Sequence, residues 1–288
     1  MSLLTFNEFC ALPREEIAQL VPSSMIYAAG GTRRAAALAG IHDQDQYVQW
    51  SAQQLIISFG LFAKYGVRHI VTHAIVPTQW KEDTPGYREK LLGWIAGILL
   101  DKNTISIYHA RNWREAMIGV DDMPEMKPVA RKLQKAFPAK GAYDLTVYYM
   151  STPTYAAHWA NMSRVLSKRV SSQTELIQAK YKEAIPPIKL YLGYGKPVMS
   201  AAVCPPLMGA FDGMHSYWLQ KPGYVTNEKT ILKILYDYAY TRRTWIKDKS
   251  GRTAKVLNFR EAMSRETVLG VGMRLGPFWY PDYGDENE

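Results

Sequence analysis

The chain has 288 residues, 47% of them apolar and 21% charged, a balance that suits a folded globular protein and excludes a disordered one. Its formal charge of +9 points to an anionic partner. No zinc-finger spacing, RNP-like motif or basic region followed by heptads is present, so nucleic acid ranks last among such partners. No stretch approaches the ~18 uncharged apolar residues of a membrane span. The acid-bearing start MSLLTFNEFCALPREE is a poor export signal, so a cytoplasmic protein is expected.

Taken in chain order, SMIYAAG (24–30) reads as a strand entering a glycine turn, and YVQWSAQQLIISFGLFAKYG (47–66) as a helix ending at Gly66. VRHIVTHAIV (67–76) alternates and is β-branched, which predicts a strand. The periodicity predicts a helix over 87–103 closed by Asn103, then a strand over TISIYHA (104–110). Helix is predicted over 126–137, strand over YDLTVYYM (143–150), and helices over 156–170 and 172–184. IKLYLGYGK (188–196) reads as a strand ending in Gly195-Lys196, with HSYWLQ a further short strand. A last helix opens at Thr226 or Asn227, with Glu228 in its first turn. The densest basic stretch, RRTWIKDKSGRTAK (242–255), is broken as a solvated loop would be. Cys10 and Cys204 are expected to be free and buried, since two distant thiols build no zinc site. Strand–helix alternation without repeats argues for one α/β domain over residues 1–288, with a mostly parallel central sheet flanked by helices. Ligands bind such sheets outside the carboxyl ends of the strands.

YAAGGTRRAAALAG (27–40) sits at such an end. Glycines let the backbone approach a ligand, and Thr32-Arg33-Arg34 would open a helix whose first N–H groups face it. Two guanidiniums add forked donors matched to phosphate oxygens. The design suits a diphosphate, although neither Walker A nor Rossmann spacing is present. The alanine run 35–40 and the 19 Tyr, 8 Trp and 8 Phe are compatible with an apolar, aromatic pocket beside it.

The order of elements and this motif resemble the cis-prenyltransferase (undecaprenyl diphosphate synthase-like) fold family, and within it the terpene-synthase branch. That branch has Asp-Gly-Thr-Arg-Arg where this chain has Gly30-Gly31-Thr32-Arg33-Arg34. The resemblance extends to GVRHIVTHAIV, YLGYGK (191–196), ILKILYDYAYTRR (231–243) and VLGVGMRLGPFWY (268–280). It implies that Gly31, Thr32, Arg33, Arg34 and Lys196 bind diphosphate and that Tyr47 lies in the active site. It implies a homodimer and a prenyl or diterpenyl diphosphate substrate. The expected reaction ionises that allylic diphosphate and captures the cation with water, giving an alcohol of the kolavelool or tuberculosinol type. Transfer to a nucleoside or another small nucleophile is the alternative, and a non-catalytic partner subunit a third. Gly30 replaces the family's aspartate, which leaves the Mg2+ requirement and the general base open.

Other constellations compete less well. DDMPE (121–125) resembles a magnesium-binding acidic motif but reads as a solvated turn around Pro124. His69 and His73 share one strand face and are expected in the core or lining the pocket. His42 and His158 are candidates for the pocket wall. Asp237, between Tyr236 and Tyr238, reads as a paired or capping acid. No nucleophile elbow appears.

Overall fold

The computed structural model describes residues 4–198, 213–224, 227–241, 269–276 and 278–281, with the isolated positions 207, 257 and 260. Cys204, Thr226 and the 242–255 stretch lie outside the described residues. Along the chain come α1 (Phe6–Ala11), α2 (Arg14–Leu20), β1 (Ser24–Tyr27), α3 (Thr32–Leu38), α4 (Gln44–Lys64) and β2 (His69–Ile75). Next are α5 (Pro77–Trp80), α6 (Tyr87–Leu99), α7 (Lys102–Ala110), β3 (Trp113–Ile118), α8 (Lys127–Ala136), β4 (Leu145–Ser151) and α9 (Tyr155–Leu166). The chain continues through α10 (Gln173–Tyr181), β5 (Leu190–Tyr194), β6 (His215–Leu219), α11 (Glu228–Tyr236), β7 (Gly272–Leu275) and β8 (Phe278–Pro281).

Six strands form one sheet in the order β3-β4-β2-β1-β5-β6. Every pairing in it is parallel, so all six carboxyl ends open on one edge. The central strands are apolar on both sides because both faces are covered. Tyr27, Ile70, Val147 and Leu192 face a large core made with α1, α4, α6, α7, α8 and α11, whereas Ile26, Val71, Tyr148 and Tyr191 pack with Ile177 and Tyr181 of α10. β7 and β8 form a separate antiparallel hairpin. The fold class is that expected: a parallel central sheet flanked by helices.

The third strand is displaced from its expected position. Residues 104–110 are helical, because Asp101 caps α7 by accepting the Thr104 N–H at 2.8 Å. Thr104 and Tyr108, four apart, are its buried pair. The β-branched content of TISIYHA imitates a strand, but the cap and this spacing prevail. The strand is instead WREAMI, buried at every position, whose apolar character is masked by two ionisable residues. Arg114 is held in a bidentate pair by Glu183 at 2.6 and 2.9 Å, and Glu115 is almost wholly buried. Asn103 accordingly lies inside α7, and α6 ends at Leu99. Asn227 is the cap of α11, accepting from the Thr230 N–H at 2.9 Å.

Candidate active site

A cleft of about 640 Å³ runs along the carboxyl edge of the sheet. The segment after β1 supplies Ala28 to Arg34, β2 supplies His73, and the turn into α5 supplies Val76 to Gln79. β5 and the residues after it give Tyr191, Tyr194, Lys196 and Val198; Trp218 of β6 and Tyr155 of α9 complete the wall. The structure therefore brings Gly31, Thr32, Arg33, Arg34 and Lys196 to one cavity, although Lys196 is distant in the chain.

Gly31 is the position where glycine is required. Its φ of 72° is left-handed, and a Cβ there would lie 2.8 Å from an Arg34 nitrogen and 3.1 Å from the Pro222 Cβ. Gly31 caps α3, which is only seven residues long and has no acid in its first turn. Two arginines at this end oppose the helix dipole, at a cost of roughly 0.3–1 kcal/mol each. Placement so unfavourable to the empty fold suits an anionic ligand. The Arg33 guanidinium lies 5.5 Å from the Tyr87 ring centre and 3.5 Å from Glu82, with 59% of its side chain exposed. Arg34 lies 5.5 Å from the ring centre of Phe278, so the β7–β8 hairpin reaches the site.

A second space of about 110 Å³ adjoins the cleft and shares Ala29, Thr32, His73 and Gln79 with it. It is lined by Tyr47 and Leu55 of α4, by Leu91, Trp94, Ile95, Ile98 and Leu99 of α6, by Thr72 and Tyr149 from the sheet, and by Tyr224. Apolar residues at three- and four-residue spacing on α6 build most of this wall. The Tyr47 ring meets Trp94 edge-on at 6.3 Å, and Trp94 meets Tyr87 at 6.0 Å. The Tyr47 hydroxyl lies 2.7 Å from Thr32 Oγ1, tying the chamber to the cleft. The alanine run does not line either space: Ala35 and Ala36 pack inward, and Leu38 is exposed.

Several other expectations resolve differently. His73 lines both spaces, whereas His69 stacks on Tyr148, with its pKa lowered by burial. His42 is exposed. His158 is buried 3.5 Å from Asp122, away from the cleft lining. DDMPE is not simply a solvated turn. Asp122 is buried and accepts from Lys180 at 2.8 Å and from Asn161 at 2.6 Å. Burial alone would raise its pKa, but hydrogen bonds from His158, Lys180 and Asn161 hold it below the usual range. Cys10 is free but exposed, correcting the expected burial. Asp237 accepts the Tyr217 hydroxyl at 2.5 Å.

Magnesium is a poor fit to this donor set. Among the described residues the cleft wall carries cations, a histidine and no carboxylate, whereas the ion prefers hard oxygen ligands. Among the described residues no group of three His, Cys, Asp or Glu could hold a metal. Tyr224, Trp94 and Gln79 escaped the sequence reading. Trp94 was legible as part of an amphipathic helix, while Tyr224 sits in a loop with no motif of its own.

No protein-family model matches the chain. It is 35% identical over 279 residues to (+)-kolavelool synthase of Herpetosiphon aurantiacus, covering 96% of this chain and 95% of that protein. The chain belongs to the cis-prenyltransferase-fold terpene synthase family. A more distant member of the comparison is tuberculosinyl adenosine transferase of Mycobacterium tuberculosis, 23% identical over 98% of this chain and 100% of that one. The fold agrees with this family assignment. Lavandulyl diphosphate synthase of Lavandula x intermedia, solved with dimethylallyl diphosphate, superposes with a TM-score of 0.61 at 10% identity, over 78% of this chain and 98% of that one. A probable undecaprenyl diphosphate synthase of Campylobacter jejuni gives 0.55 at 12% identity, over 77% and 97%. Among the described residues no helix is long and apolar enough to cross a membrane.

Proposed function

We propose that this family member is a diterpene synthase that ionises an allylic, bicyclic C20 diphosphate and captures the cation with water, releasing diphosphate and a diterpene alcohol. The observation that carries this reading is the junction of two spaces at Thr32: a cationic cleft on one side and an apolar, aromatic chamber on the other. Arg33, Arg34 and Lys196 take the diphosphate, with the backbone of Gly31 and Thr32 beneath it. Their fixed positive charge stabilises the leaving group as the carbon–oxygen bond breaks, which is where a site of this kind gains most of its rate. The hydrocarbon lies in the chamber, where the ring faces of Tyr47 and Trp94 favour positive charge on the allyl group. The 35% identity to a kolavelool synthase supports the alcohol product.

Transfer to a planar nucleophile is a second reading, favoured by one feature of the cleft. The cleft is also lined by Tyr155, Tyr191 and Trp218, with the Tyr191 and Trp218 rings 5.4 Å apart. That aromatic wall suits a stacked heterocyclic acceptor, and one relative is named for transfer to adenosine. A non-catalytic role fits less well with a cleft that retains its cations. A homodimer is proposed from the family and is checked by light scattering on the purified chain.

The test is incubation of the protein with geranylgeranyl diphosphate and with a bicyclic diterpenyl diphosphate, each with magnesium or chelator, and each with or without adenosine. Products are read by mass spectrometry. An alcohol from the bicyclic substrate without adenosine is the expected result. A product only in the presence of adenosine would favour the transferase, and no product in any arm would reject both.

A further inference from the structure

We propose that Tyr224 is a positioning residue for the nucleophile, holding the water that captures the cation beside Thr32 and Tyr47; this rests on the synthase reading above. The loop after β6, Lys221-Pro222-Gly223-Tyr224, folds back over the Gly30-Gly31 turn. The Gly223 N–H donates to the Gly30 carbonyl at 2.6 Å. A Cβ on Gly223 would stand 2.8 Å from that same oxygen, so the two segments are in backbone contact.

The next residue, Tyr224, has a φ of 68°. A bulky side chain rarely adopts the left-handed region, and it does so only where its surroundings over-determine it. Here the surroundings are identifiable. The Gly223 contact fixes the backbone on one side, and the buried Tyr27 hydroxyl bonds the Tyr224 backbone. Trp50 of α4 meets the Tyr224 ring edge-on at 5.5 Å. Tyr224 lines the chamber, and its hydroxyl approaches the side chains of Ser51 and Thr32. Burial there raises its pKa well above the usual value, so it is a neutral donor and acceptor.

Three hydroxyls thus converge where cleft and chamber meet. Thr32 lines both spaces, Tyr47 and Tyr224 line the chamber, and the Tyr47 hydroxyl lies 2.7 Å from Thr32 Oγ1. A water needs two to four polar partners to be held in an enclosed site. Leu55, Leu91, Ile95, Ile98 and Leu99 of the same wall offer none, and its other polar groups come from Thr72, His73, Gln79 and Tyr149. Joined through Thr32, which belongs to both spaces, the hydroxyl cluster is where a nucleophilic water is held next to the ionising carbon.

The step balances without a carboxylate. The carbon–oxygen bond to diphosphate breaks, and the electron pair leaves with the diphosphate. A lone pair of the held water forms the new carbon–oxygen bond, giving a protonated alcohol. Its proton passes to the Tyr47 hydroxyl, which hands its own to Thr32, and Thr32 hands its own to an oxygen of the departed diphosphate in the cleft. Where no water is held, the cation instead loses a proton from carbon to an oxygen of the departed diphosphate and yields a diene.

The experiment is Tyr224→Phe, which keeps the ring, assayed with the bicyclic diterpenyl diphosphate beside the wild-type chain. Alcohol, diene and released diphosphate are quantified, and thermal midpoints are recorded. We expect the wild type to give mainly alcohol and the variant to give about tenfold less alcohol per diphosphate released, with diene in its place, because one of a few hydrogen bonds to the water is lost. An unchanged alcohol-to-diene ratio would overturn the proposal. So would an equal loss of both products together with a lowered thermal midpoint, since that would mark Tyr224 as merely structural. A wild-type chain inert toward the substrate would overturn the synthase reading itself, a result distinct from either.

Discussion

At the cleft, Arg33 keeps most of its side chain in solvent and has Glu82 at 3.5 Å; between α9 and α10, Lys180 is fully buried and donates to both oxygens of Asp122 at 2.8 and 3.1 Å. The two regions handle a cation in opposite ways. An exposed guanidinium costs little to leave loosely paired, because water solvates it, and it remains available to a ligand. A buried ammonium is tolerable only when it is fully paired. On the proposed reading Arg33 serves a ligand while the dry Lys180 serves the fold, and substitution should separate the two.

The largest effect is expected in the buried cluster. Lys180→Met leaves Asp122 charged, buried and short of its main partner, and should cost about 3–5 kcal/mol in urea unfolding. Adding Asp122→Asn should recover most of that loss, because both charges are then gone. A double variant as unstable as the single one would show that packing, not pairing, holds this region. At the cleft the signs reverse. Arg33→Ala and Arg34→Ala should each lower kcat/KM on a prenyl diphosphate by about 10²–10³-fold. Stability should move by no more than about 0.5 kcal/mol, since an unfavourable charge leaves the α3 N-terminus. Unaffected turnover would remove the cleft from the reaction.

A smaller, pH-dependent contrast lies in β3. Glu115 is buried, accepts the Tyr149 hydroxyl at 3.3 Å and has no cation pairing with it among the contacts described. Burial pushes its pKa up to about 8, from an ordinary value of 4.5, although the Tyr108 and Tyr149 hydroxyls pull the other way. Between those values the folded chain binds a proton that the unfolded chain has lost. Its contribution to stability is therefore complete below pH 4.5 and declines as pH rises toward about 8. One such group sets a slope of about 1.4 kcal/mol per pH unit. Glu115→Gln should remove that share of the slope, measured by urea unfolding at pH 5, 6.5 and 8. Parallel curves for the two proteins would show that Glu115 is ionised in the fold.

What could be read in the sequence follows from how local each feature is. The strands β1, β2, β4 and β5 were legible because they are short β-branched and aromatic stretches within single windows of the sequence. β3 was not, since its Arg114 and Glu115 look like surface residues until Glu183 and Tyr149 are brought against them. The cationic half of the site was legible because Gly30 to Arg34 are consecutive. The chamber was not: its wall is assembled from α4, α6, two strands and a loop, and no short window contains it. Asp122 read as a turn residue because its partner Lys180 lies 58 residues away. The left-handed backbone of Tyr224 is a property of its surroundings and leaves no mark in the residue type.

The smallest structural effect is expected at Gly30, where the branch's aspartate is missing. A Cβ built there meets nothing closer than 3.8 Å, the Tyr194 carbonyl oxygen, which is ordinary contact, and Gly30 is not among the positive-φ residues. The backbone therefore does not demand glycine, unlike Gly31 beside it. Gly30→Asp should fold with a stability within about 0.5 kcal/mol of the wild type. Its consequence should be electrostatic: a carboxylate facing the diphosphate repels it unless a cation lies between them. By calorimetry with inorganic diphosphate, the variant should bind about fivefold more weakly in chelator and recover with magnesium, whereas the wild type should respond less to the ion. Equal responses would show that the metal is held by the diphosphate rather than by this position. A variant that regained nothing from magnesium would show that the aspartate needs further ligands the cleft does not provide.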